Sequence, residues 1–357
     1  MLIQKPRIPI RDVLTVGLLP NFLKVLFYRI KGYKIGKNVS IGFGSVICGN
    51  RVVIGDNTTI GFLTIIRGDE IAIGRHVSIG TTVFLDTPRI MIGDDTKINE
   101  QVYVGGLQQP DSRFVVGRNC QIMQMTFINP AVSITIGDDT GIGGHCLIFG
   151  HTSWLSCFEG YPVDFQPITI GNSVSIAWGA FILPGTVIGD GAVVGARAVA
   201  SRTIPPRCLA IGYPARVVSK YPEFPVEMPE DEKVRWLKKI LDEMIRVFQS
   251  SGLDCKKNDD HYSVSYIQKR WWRKSRKSWV FSAWFDIPTD EKTFQHNQKI
   301  DVLLSLKSIP RNLRDTLNIQ RTLWIDIEKK ERADFGNDIG EEVVLFLRRY
   351  GVRFFRV

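Results

Sequence analysis

An aliphatic residue followed by glycine recurs at short, regular intervals along the first half of the chain. Examples are Ile35-Gly36, Ile41-Gly42, Ile54-Gly55, Ile60-Gly61, Ile73-Gly74 and Ile79-Gly80, and many neighbouring copies lie six residues apart. Aliphatic residues at the same spacing extend these pairs to the triplets 35/41/47, 54/60/66, 73/79/85 and 92/98/104, each separated from the next by seven residues. The repeating unit is therefore three groups of six residues, here called hexads, plus one residue.

This period predicts a mainly β fold, a left-handed parallel β-helix. Three short strands that meet at three corners make one triangular coil, and the aliphatic residues point inward and stack on the next coil about 4.8 Å along the axis. The glycine supplies the corner, where side chains are crowded or φ must be positive. A β-sandwich would instead show alternation with period two and hairpin signals, and neither dominates here.

The repeat is interrupted once in an informative way. Ile148 and Ile170 are 22 positions apart, and the intervening segment predicts an extruded loop of about 16 residues, a length that is usually functional. After the loop the hexads continue at 170, 176, 182, 188, 194 and 200 and end at Pro205-Pro206. We therefore assign residues 34–222 to the β-helix and residues 1–33 to a short helical lead-in.

The lead-in contains two apolar runs, Val13 to Pro20 and Phe22 to Tyr28, that basic residues interrupt or flank. This pattern predicts neither a signal peptide nor a membrane-spanning helix. The six cysteines form no CxxC pair, so neither a zinc site nor a disulfide framework is indicated, and a reducing cytoplasm fits best. The net charge of +10 favours anionic partners, namely CoA phosphates, a sugar nucleotide, nucleic acid or an anionic membrane, without choosing among them.

Beyond Pro222 the repeat ends, and residues 223–357 are predicted to form a small α/β domain of unassigned role. Apolar residues at helical spacing predict a helix from about Asp231 to Ser250. Asp338 and Glu341 have the spacing of a capping box for a second helix that ends before Gly351. Strand-like runs occupy Tyr262 to Ile267, Trp279 to Phe285, Asp301 to Leu306, Thr322 to Ile327 and Val352 to Val357.

The second half of the repeat resembles a known family. The stretch from Ile182-Leu183-Pro184-Gly185 to Ile204-Pro205-Pro206, with Gly212-Tyr213-Pro214-Ala215-Arg216, is similar to the C-terminal coils of the hexapeptide-repeat acyltransferases, which include sugar and xenobiotic O-acetyltransferases. With the lead-in that ends at Gly32-Tyr33-Lys34, the resemblance covers roughly half of the chain. It implies a homotrimer in which CoA lies in the groove between neighbouring subunits, with acetyl-CoA as the acyl donor.

The resemblance also implies a catalytic histidine at the start of the extruded loop, where this chain has His151. A neutral imidazole can take the proton of a sugar hydroxyl as that oxygen attacks the thioester carbonyl, and backbone N–H groups can stabilise the oxyanion. This direct transfer requires no metal and no covalent enzyme intermediate. We assign Trp154, Asn129 and Glu159 to the acceptor substrate.

For the donor, the resemblance implies that Ala196 offers main-chain contacts to pantetheine and that Arg202 and Arg216 face the CoA phosphates. The arginine fork suits phosphate because it holds two oxygens at once. Pro214 and Trp178 are assigned to the same site. Trp178 departs from the family, because Ser175-Ile176-Ala177-Trp178 places an indole where a small residue normally borders the CoA thiol. We expect this ring to narrow or reshape the acyl slot.

The pattern fits two other enzyme classes, the zinc carbonic anhydrases and the serine acetyltransferases, less well. Zinc carbonic anhydrases share the fold but need three imidazoles around one zinc, and the spacing of His76, His145 and His151 does not match theirs. His145 is interpreted as a corner or groove residue on a prism face adjacent to that of His151. Serine acetyltransferases carry an extended helical N-terminal domain, whereas this chain has only the short lead-in.

A basic cluster lies in the C-terminal domain, where Lys269-Arg270-Trp271-Trp272-Arg273-Lys274-Ser275-Arg276-Lys277 combines six cations with two indoles. Such a segment binds anionic lipid headgroups, nucleic acid or sugar phosphates, or is an ordinary solvated loop. With the apolar lead-in, it suggests peripheral contact with an anionic membrane at its inner face. We do not expect nucleic acid as a partner.

These observations predict a cytoplasmic, trimeric acyltransferase that O-acetylates a sugar unit in surface-polysaccharide or glycolipid assembly. An N-acyltransferase that acts on an amino sugar nucleotide is the nearest alternative. A non-catalytic trimeric scaffold, with the C-terminal domain as its functional part, is the alternative from another class.

Overall fold

A computed structural model describes residues 8–153, 155–258, 261–270, 273–286 and 300–357, with the backbone alone at 258, 261, 267–270 and 273–276. The chain divides into two compact units, Met1–Val226 and Glu227–Val357.

The first unit is built from three sheets of very short parallel strands, one strand of each sheet per coil. The first sheet contains Lys34–Ile35, Arg51–Ile54, Glu70–Ile73, Arg89–Ile92, Arg113–Val116, Ser133–Ile136, Ile168–Ile170 and Val187–Ile188. The second sheet contains Ser40–Ile41, Thr59–Ile60, Ser78–Ile79, Lys97–Ile98, Gln121–Ile122, Gly141–Ile142, Ser175–Ile176, Val193–Val194, Cys208–Ile211 and Arg216–Lys220. The third sheet contains Val46–Cys48, Ile65–Arg67, Phe84–Asp86, Tyr103–Val104, Phe127–Asn129, Leu147–Phe149, Phe181–Ile182 and Val199–Ala200.

The strand register follows the sequence repeat. Ile35 pairs with Ile54, and the other two members of that triplet pair with Ile60 and Ile66 in the second and third sheets. These side chains are buried and form part of one continuous core cluster along the prism. The predicted fold class, a left-handed parallel β-helix with a helical lead-in and a C-terminal α/β domain, is confirmed.

The corner glycines are explained by crowding. A Cβ at Gly61 would stand 2.5 Å from the carbonyl of Gly80 on the next coil, closer than real Cβ contacts allow. The left-handed backbone instead falls two residues after such glycines, as at Asn38 and Asn57, with φ of 54° and 57°. Two reasons for the corner glycine were predicted. Close packing is the reason at Gly61, whereas the positive φ occurs at nearby residues of the corners.

Two insertions interrupt the coils. The predicted loop leaves the prism through a small antiparallel hairpin, His151–Thr152 with Asp164–Phe165, and carries a short 3-10 turn at Cys157–Glu159. A second insertion, residues 105–112, separates strands of the third and first sheets, and the sequence pattern did not reveal it. The last strand, Arg216–Lys220, runs antiparallel to Cys208–Ile211.

The lead-in consists of helix α1 (Ile10–Leu14), a 3-10 turn (Val16–Leu18) and helix α2 (Asn21–Ile30). In the described part of the chain, no single helix has the length and apolar character needed to cross a bilayer. The segments Ile10–Leu18 and Asn21–Ile30 meet such a criterion only as a pair bent by 119°.

In its described residues, the second unit contains a seven-stranded mixed sheet and three helices. In sheet order the strands are Asp254–Asn258, His261–Arg270, Arg273–Trp284, Val302–Ser305, Leu323–Asp326, Glu331–Arg332 and Phe355–Arg356. The helices are α3 (Glu230–Ser250), α4 (Arg311–Ile319) and α5 (Asp338–Arg348). The first predicted helix corresponds to α3, which buries its apolar face, whereas α4 was not predicted.

The predicted capping box of α5 is wrong. Asn337 is the N-cap, and its side chain accepts a hydrogen bond from the Gly340 N–H at 2.8 Å. The Glu341 carboxylate instead forms an ion pair with the buried Arg332, which helps to hold its pKa below the ordinary value despite burial. An N-cap asparagine satisfies the same free N–H groups that the box would have satisfied.

Candidate active site

His151 stands where the third sheet turns into the extruded loop. It follows the strand Leu147–Phe149, and its backbone pairs with Phe165 at the base of the loop hairpin. The N–H of the preceding Gly150 donates to the carbonyl oxygen of Asn129 on the previous coil at 2.9 Å. The structure therefore brings His151 and Asn129 together on one edge of the prism, where third-sheet strands turn toward the first sheet; this edge is called the His151 corner below.

The imidazole of His151 lies in an apolar setting. Its ring stacks near Phe149 and Phe165, at centroid distances of 6.1 and 6.0 Å. Phe149 continues a column of stacked rings along the third sheet, and Tyr103 and Phe127 of that column lie 4.7 Å apart. This partial burial lowers the pKa of His151. The neutral imidazole, which can accept a proton, is therefore the dominant form at neutral pH.

Both predicted polar residues at this corner carry unused hydrogen-bonding capacity. Within the described residues, Nδ1 of His151 and Oδ1 of Asn129 are buried and have no hydrogen-bond partner. Gly106 packs closely on the Asn129 amide, because a Cβ at position 106 would stand 2.5 Å from Nδ2. Buried polar atoms without partners are costly, so a polar substrate group that supplied the missing contacts would be stabilised here.

The other two residues assigned to the acceptor lie in the loop. Glu159 is exposed on the 3-10 turn Cys157–Glu159. Trp154 lies outside the described residues. Their predicted contacts with substrate stay predictions.

Three of the residues assigned to the donor share a second edge, where second-sheet strands turn toward the third sheet; this edge is called the Trp178 corner. Trp178 and Ala196 occupy it on consecutive coils, joined by the N–H of Arg197, which donates to the Trp178 carbonyl at 3.0 Å. The turn containing Pro214 continues the edge, because the N–H of Ala215 donates to the Val199 carbonyl on the adjoining third-sheet strand. Trp178, Ala196 and Pro214 are all exposed.

The indole of Trp178 lies back over the preceding coil. Its ring centroid is 5.5 Å from that of His145, and a Cβ at Gly144 would stand 2.6 Å from the indole Cη2. Glycine at position 144 therefore makes room for this ring. His145 itself is an exposed corner residue with φ of 54°.

The two predicted phosphate-binding arginines are exposed but lie apart. Arg202 follows the strand Val199–Ala200 and so belongs to the His151 corner, whereas Arg216 begins the last strand opposite Ile211. Sequence analysis missed Arg197, an exposed cation on the Trp178 corner. Its place directly after Ala196 was the available signal.

The three histidines of the prism occupy three different corners. His76 lies between a first-sheet and a second-sheet strand, His145 at the Trp178 corner and His151 at its own corner. This arrangement does not place three imidazoles around one point of the chain. Among the described residues, no group of three or more His, Cys, Asp or Glu side chains is placed to hold a metal ion.

The comparisons with known proteins identify acetyltransferases. No protein-family model matches the chain. A putative acetyltransferase of Schizosaccharomyces pombe is 35% identical over 118 residues, which are 30% of this chain and 50% of that protein. The galactoside O-acetyltransferase of Escherichia coli K12 is 36% identical over 122 residues (31% and 58%), and its putative lipopolysaccharide biosynthesis O-acetyl transferase WbbJ is 33% identical over 115 residues (29% and 58%).

The chain thus spans about half the length of the curated relatives it matches. Among solved structures, a galactoside acetyltransferase in complex with coenzyme A is 24% identical and covers 37% of this chain and 64% of its own, with a TM-score of 0.25. The resemblance of the β-helix to the hexapeptide-repeat acyltransferases is confirmed by the curated relatives.

Proposed function

We propose that the chain is a CoA-dependent acyltransferase that moves an acetyl group from acetyl-CoA to a sugar hydroxyl in polysaccharide or glycolipid assembly. The observation that carries this proposal is the half-buried imidazole of His151, whose Nδ1 has no hydrogen-bond partner among the described residues, on the same prism edge as the buried Asn129, whose Oδ1 also has none. Two relatives whose names give a galactoside and a lipopolysaccharide as the context of O-acetyl transfer support a sugar acceptor.

His151 is the general base of the proposed reaction. Because burial lowers its pKa, the ring is neutral and able to take the hydroxyl proton as the acceptor oxygen becomes a nucleophile. The resulting imidazolium can return this proton to the leaving group. Asn129, on the same prism edge, would orient the acceptor through its unpaired amide oxygen.

The Trp178 corner fits an elongated donor. Bound acetyl-CoA supplies a thioester, whose acyl group is activated toward attack by a hydroxyl. The exposed edge formed by Trp178, Ala196 and Pro214 would hold the pantetheine, and the exposed guanidinium groups of Arg202 and Arg216 would hold phosphates. Trp178 would then border the acyl group.

The geometry of a single chain supports a homotrimer. The His151 corner and the Trp178 corner lie at opposite ends of the same third-sheet strand, and the six steps from residue 145 to residue 151 would cover roughly 20 Å if fully extended. That separation is too large for direct acyl transfer within one chain, so a neighbouring subunit would bring the two corners together. Static light scattering is expected to report three times the chain mass of 40.4 kDa. A stable monomer at micromolar concentration would contradict an intersubunit site.

The activity itself is tested by incubating the protein with acetyl-CoA and following the free thiol, with and without candidate acceptors. Release that requires a neutral sugar and yields an ester supports the proposal. Release that requires an amino sugar nucleotide and yields an amide would replace it with N-acyl transfer. No release with either class would favour the scaffold.

We place the enzyme in the cytoplasm and at the inner face of an anionic membrane. The predicted membrane cluster Lys269–Lys277 does not supply structural support, because Trp271, Trp272 and most of its side chains lie outside the described residues.

A further inference from the structure

Helix α2 attaches to the first coil of the prism through its polar side chains. Oδ1 of Asn21 accepts a hydrogen bond from the N–H of Ile41 at 2.8 Å. The ammonium group of Lys24, which is 0% exposed, donates to the carbonyl of Gly42. The hydroxyl of the buried Tyr28 accepts a main-chain N–H of the third sheet at 2.8 Å. Residues three or four positions apart share a helix face, so the polar face of α2 points inward.

The opposite face of α2 is apolar and open to solvent. Phe22, Leu26 and Ile30 are 69%, 53% and 78% exposed, and Leu23 and Phe27 flank them. A surface helix of a soluble protein normally has the reverse arrangement, with its apolar stripe toward the core. A contiguous exposed apolar face of this kind marks an interaction surface rather than a scattered surface residue.

The preceding segment extends this surface. Ile10 and Leu14 of α1, and Leu18 of the 3-10 turn, are also exposed. The helix pair is bent by 119°, and α2 is bonded to the prism along its polar face, so α2 can offer only its outer face to a partner. Two short helices with apolar outer faces suit a position in the plane of a membrane interface.

The charges around the surface select the partner. The same segment carries five exposed cations, Arg11, Arg29, Lys31, Lys34 and Lys37. Asp12 is the one acidic residue between positions 8 and 37 of the sequence, and its half-buried carboxylate accepts a hydrogen bond from the thiol of Cys48. These cations would be neutralised by an anionic lipid surface, which is therefore the partner that fits both the apolar face and its charges.

We propose that the outer face of residues 8–37 docks on an anionic membrane, with the side chains of Phe22, Leu26 and Ile30 inserted at the headgroup level and the flanking cations on lipid phosphates. This names the contact surface for the peripheral location in the proposed function, and it does not depend on acyl transfer.

The test is co-sedimentation with phosphatidylcholine vesicles, with and without phosphatidylglycerol, at low and high salt. Wild type is expected to pellet with the anionic vesicles and to bind at least tenfold more weakly after Phe22→Ser, Leu26→Ser and Ile30→Ser are combined. Replacing Lys31, Lys34 and Lys37 by Gln should weaken binding at low salt and flatten its salt dependence, because each cation near such a surface contributes about fivefold.

The matched control combines Val218→Ser, Val226→Ser and Ile319→Ser, three equally exposed apolar positions elsewhere, and should pellet as wild type does. Circular dichroism and light scattering on every variant verify folding and oligomeric state.

Wild type that stays in solution, or a serine variant that pellets equally well, would overturn the proposal. A serine variant that changes oligomeric state without changing vesicle binding would overturn it in favour of a contact between copies. Thiol release with a soluble acceptor should be the same in all variants, so a failure of membrane binding is separable from a failure of acyl transfer.

Discussion

The two corners of the prism that we propose to be functional differ in the exposure of their residues. At the His151 corner, the imidazole is half-buried between two phenylalanine rings and the Asn129 side chain is buried. At the Trp178 corner, Trp178 and Ala196 lie open to solvent on consecutive coils. Proton transfer needs a positioned group with a suitable pKa, whereas a long flexible donor needs an accessible edge. Because one strand separates the corners, the proposed trimer would assemble each site from the His151 corner of one chain and the Trp178 corner of its neighbour.

The largest effect in this comparison is expected when the histidine of each corner is replaced in turn. His151→Ala should reduce turnover by about 10² to 10⁴-fold, the usual contribution of a positioned general base. His145→Ala removes the same ring from the Trp178 corner and should leave turnover within a few-fold of wild type. Steady-state kinetics with acetyl-CoA and a sugar acceptor measures both, and equal losses in the two variants would contradict the assignment of roles.

The donor side is tested through the arginines. Arg202→Ala and Arg216→Ala should each weaken CoA binding by about 1.5 to 3 kcal/mol, or roughly 10 to 150-fold, if the guanidinium holds a phosphate. Arg51→Ala, which removes an exposed guanidinium from the first sheet, is the matched control and should bind CoA normally. Calorimetry at low and high salt measures these affinities. Unchanged affinity in both variants would show that Arg202 and Arg216 are ordinary surface charges.

The pH dependence distinguishes the enclosed corner from the open one. Because burial lowers the pKa of His151 below the ordinary value of 6.5, the active neutral form persists to a pH below that value. The pH profile of kcat/KM should therefore be flat near neutrality and fall about tenfold per pH unit once the pH drops below the lowered pKa. If kcat/KM already falls at or above pH 6.5, contacts with the substrate or with another subunit reverse the effect of burial on the pKa of His151.

The same shift affects stability with a defined sign. The unfolded chain carries a histidine of ordinary pKa, so as the pH falls through 6.5 the unfolded state binds a proton before the folded state does. The contribution of neutral His151 to stability is therefore present above 6.5 and is lost below it. Denaturant unfolding at several pH values should show a smaller acid destabilisation in His151→Ala than in wild type.

The smallest effect is expected at Trp178. If the indole borders the acyl slot, Trp178→Ala should improve the use of propionyl-CoA relative to acetyl-CoA by about 1 kcal/mol, or roughly fivefold, the low end for one methylene. The ratio of kcat/KM for the two donors measures it. An unchanged ratio would mean that the ring packs on Gly144 and His145 without contacting the acyl group.

Much of the β-helix was predictable because its contacts repeat at fixed sequence separations. Once Ile35, Ile54 and Ile73 are recognised as equivalent, their register in the first sheet follows, and the loop after Phe149 appears as a break in that register. The second insertion, residues 105–112, was missed because the six-residue spacing of the aliphatic residues is kept on each side of it. His151 was assigned by resemblance, and its place on the same edge as Asn129 required the coil pairing.

The second unit shows the opposite situation. Helix α3 was predictable from its apolar spacing, since a single amphipathic face is a local property. The sheet order, with Val302–Ser305 parallel to Leu323–Asp326, depends on pairings between distant segments that no period encodes. Helix α4 was missed because only Leu317 is buried in it, and the capping of α5 was assigned one residue too late because Asn337 and Asp338 are both good N-cap residues.

By itself the sequence determined the three-sided coil, its number of residues per turn, the extruded loop and the separation of the repeat from a C-terminal α/β unit, because these follow from periods that a short-range pattern carries. Only the tertiary structure decided that His151 loses solvent to Phe149 and Phe165, that Trp178 folds back over Gly144, and that α2 turns its polar residues inward. Each of these depends on which side chain of another coil or helix occupies the adjacent space. A sequence period shows which residues share a face of a strand or helix, whereas packing decides which other residues that face contacts.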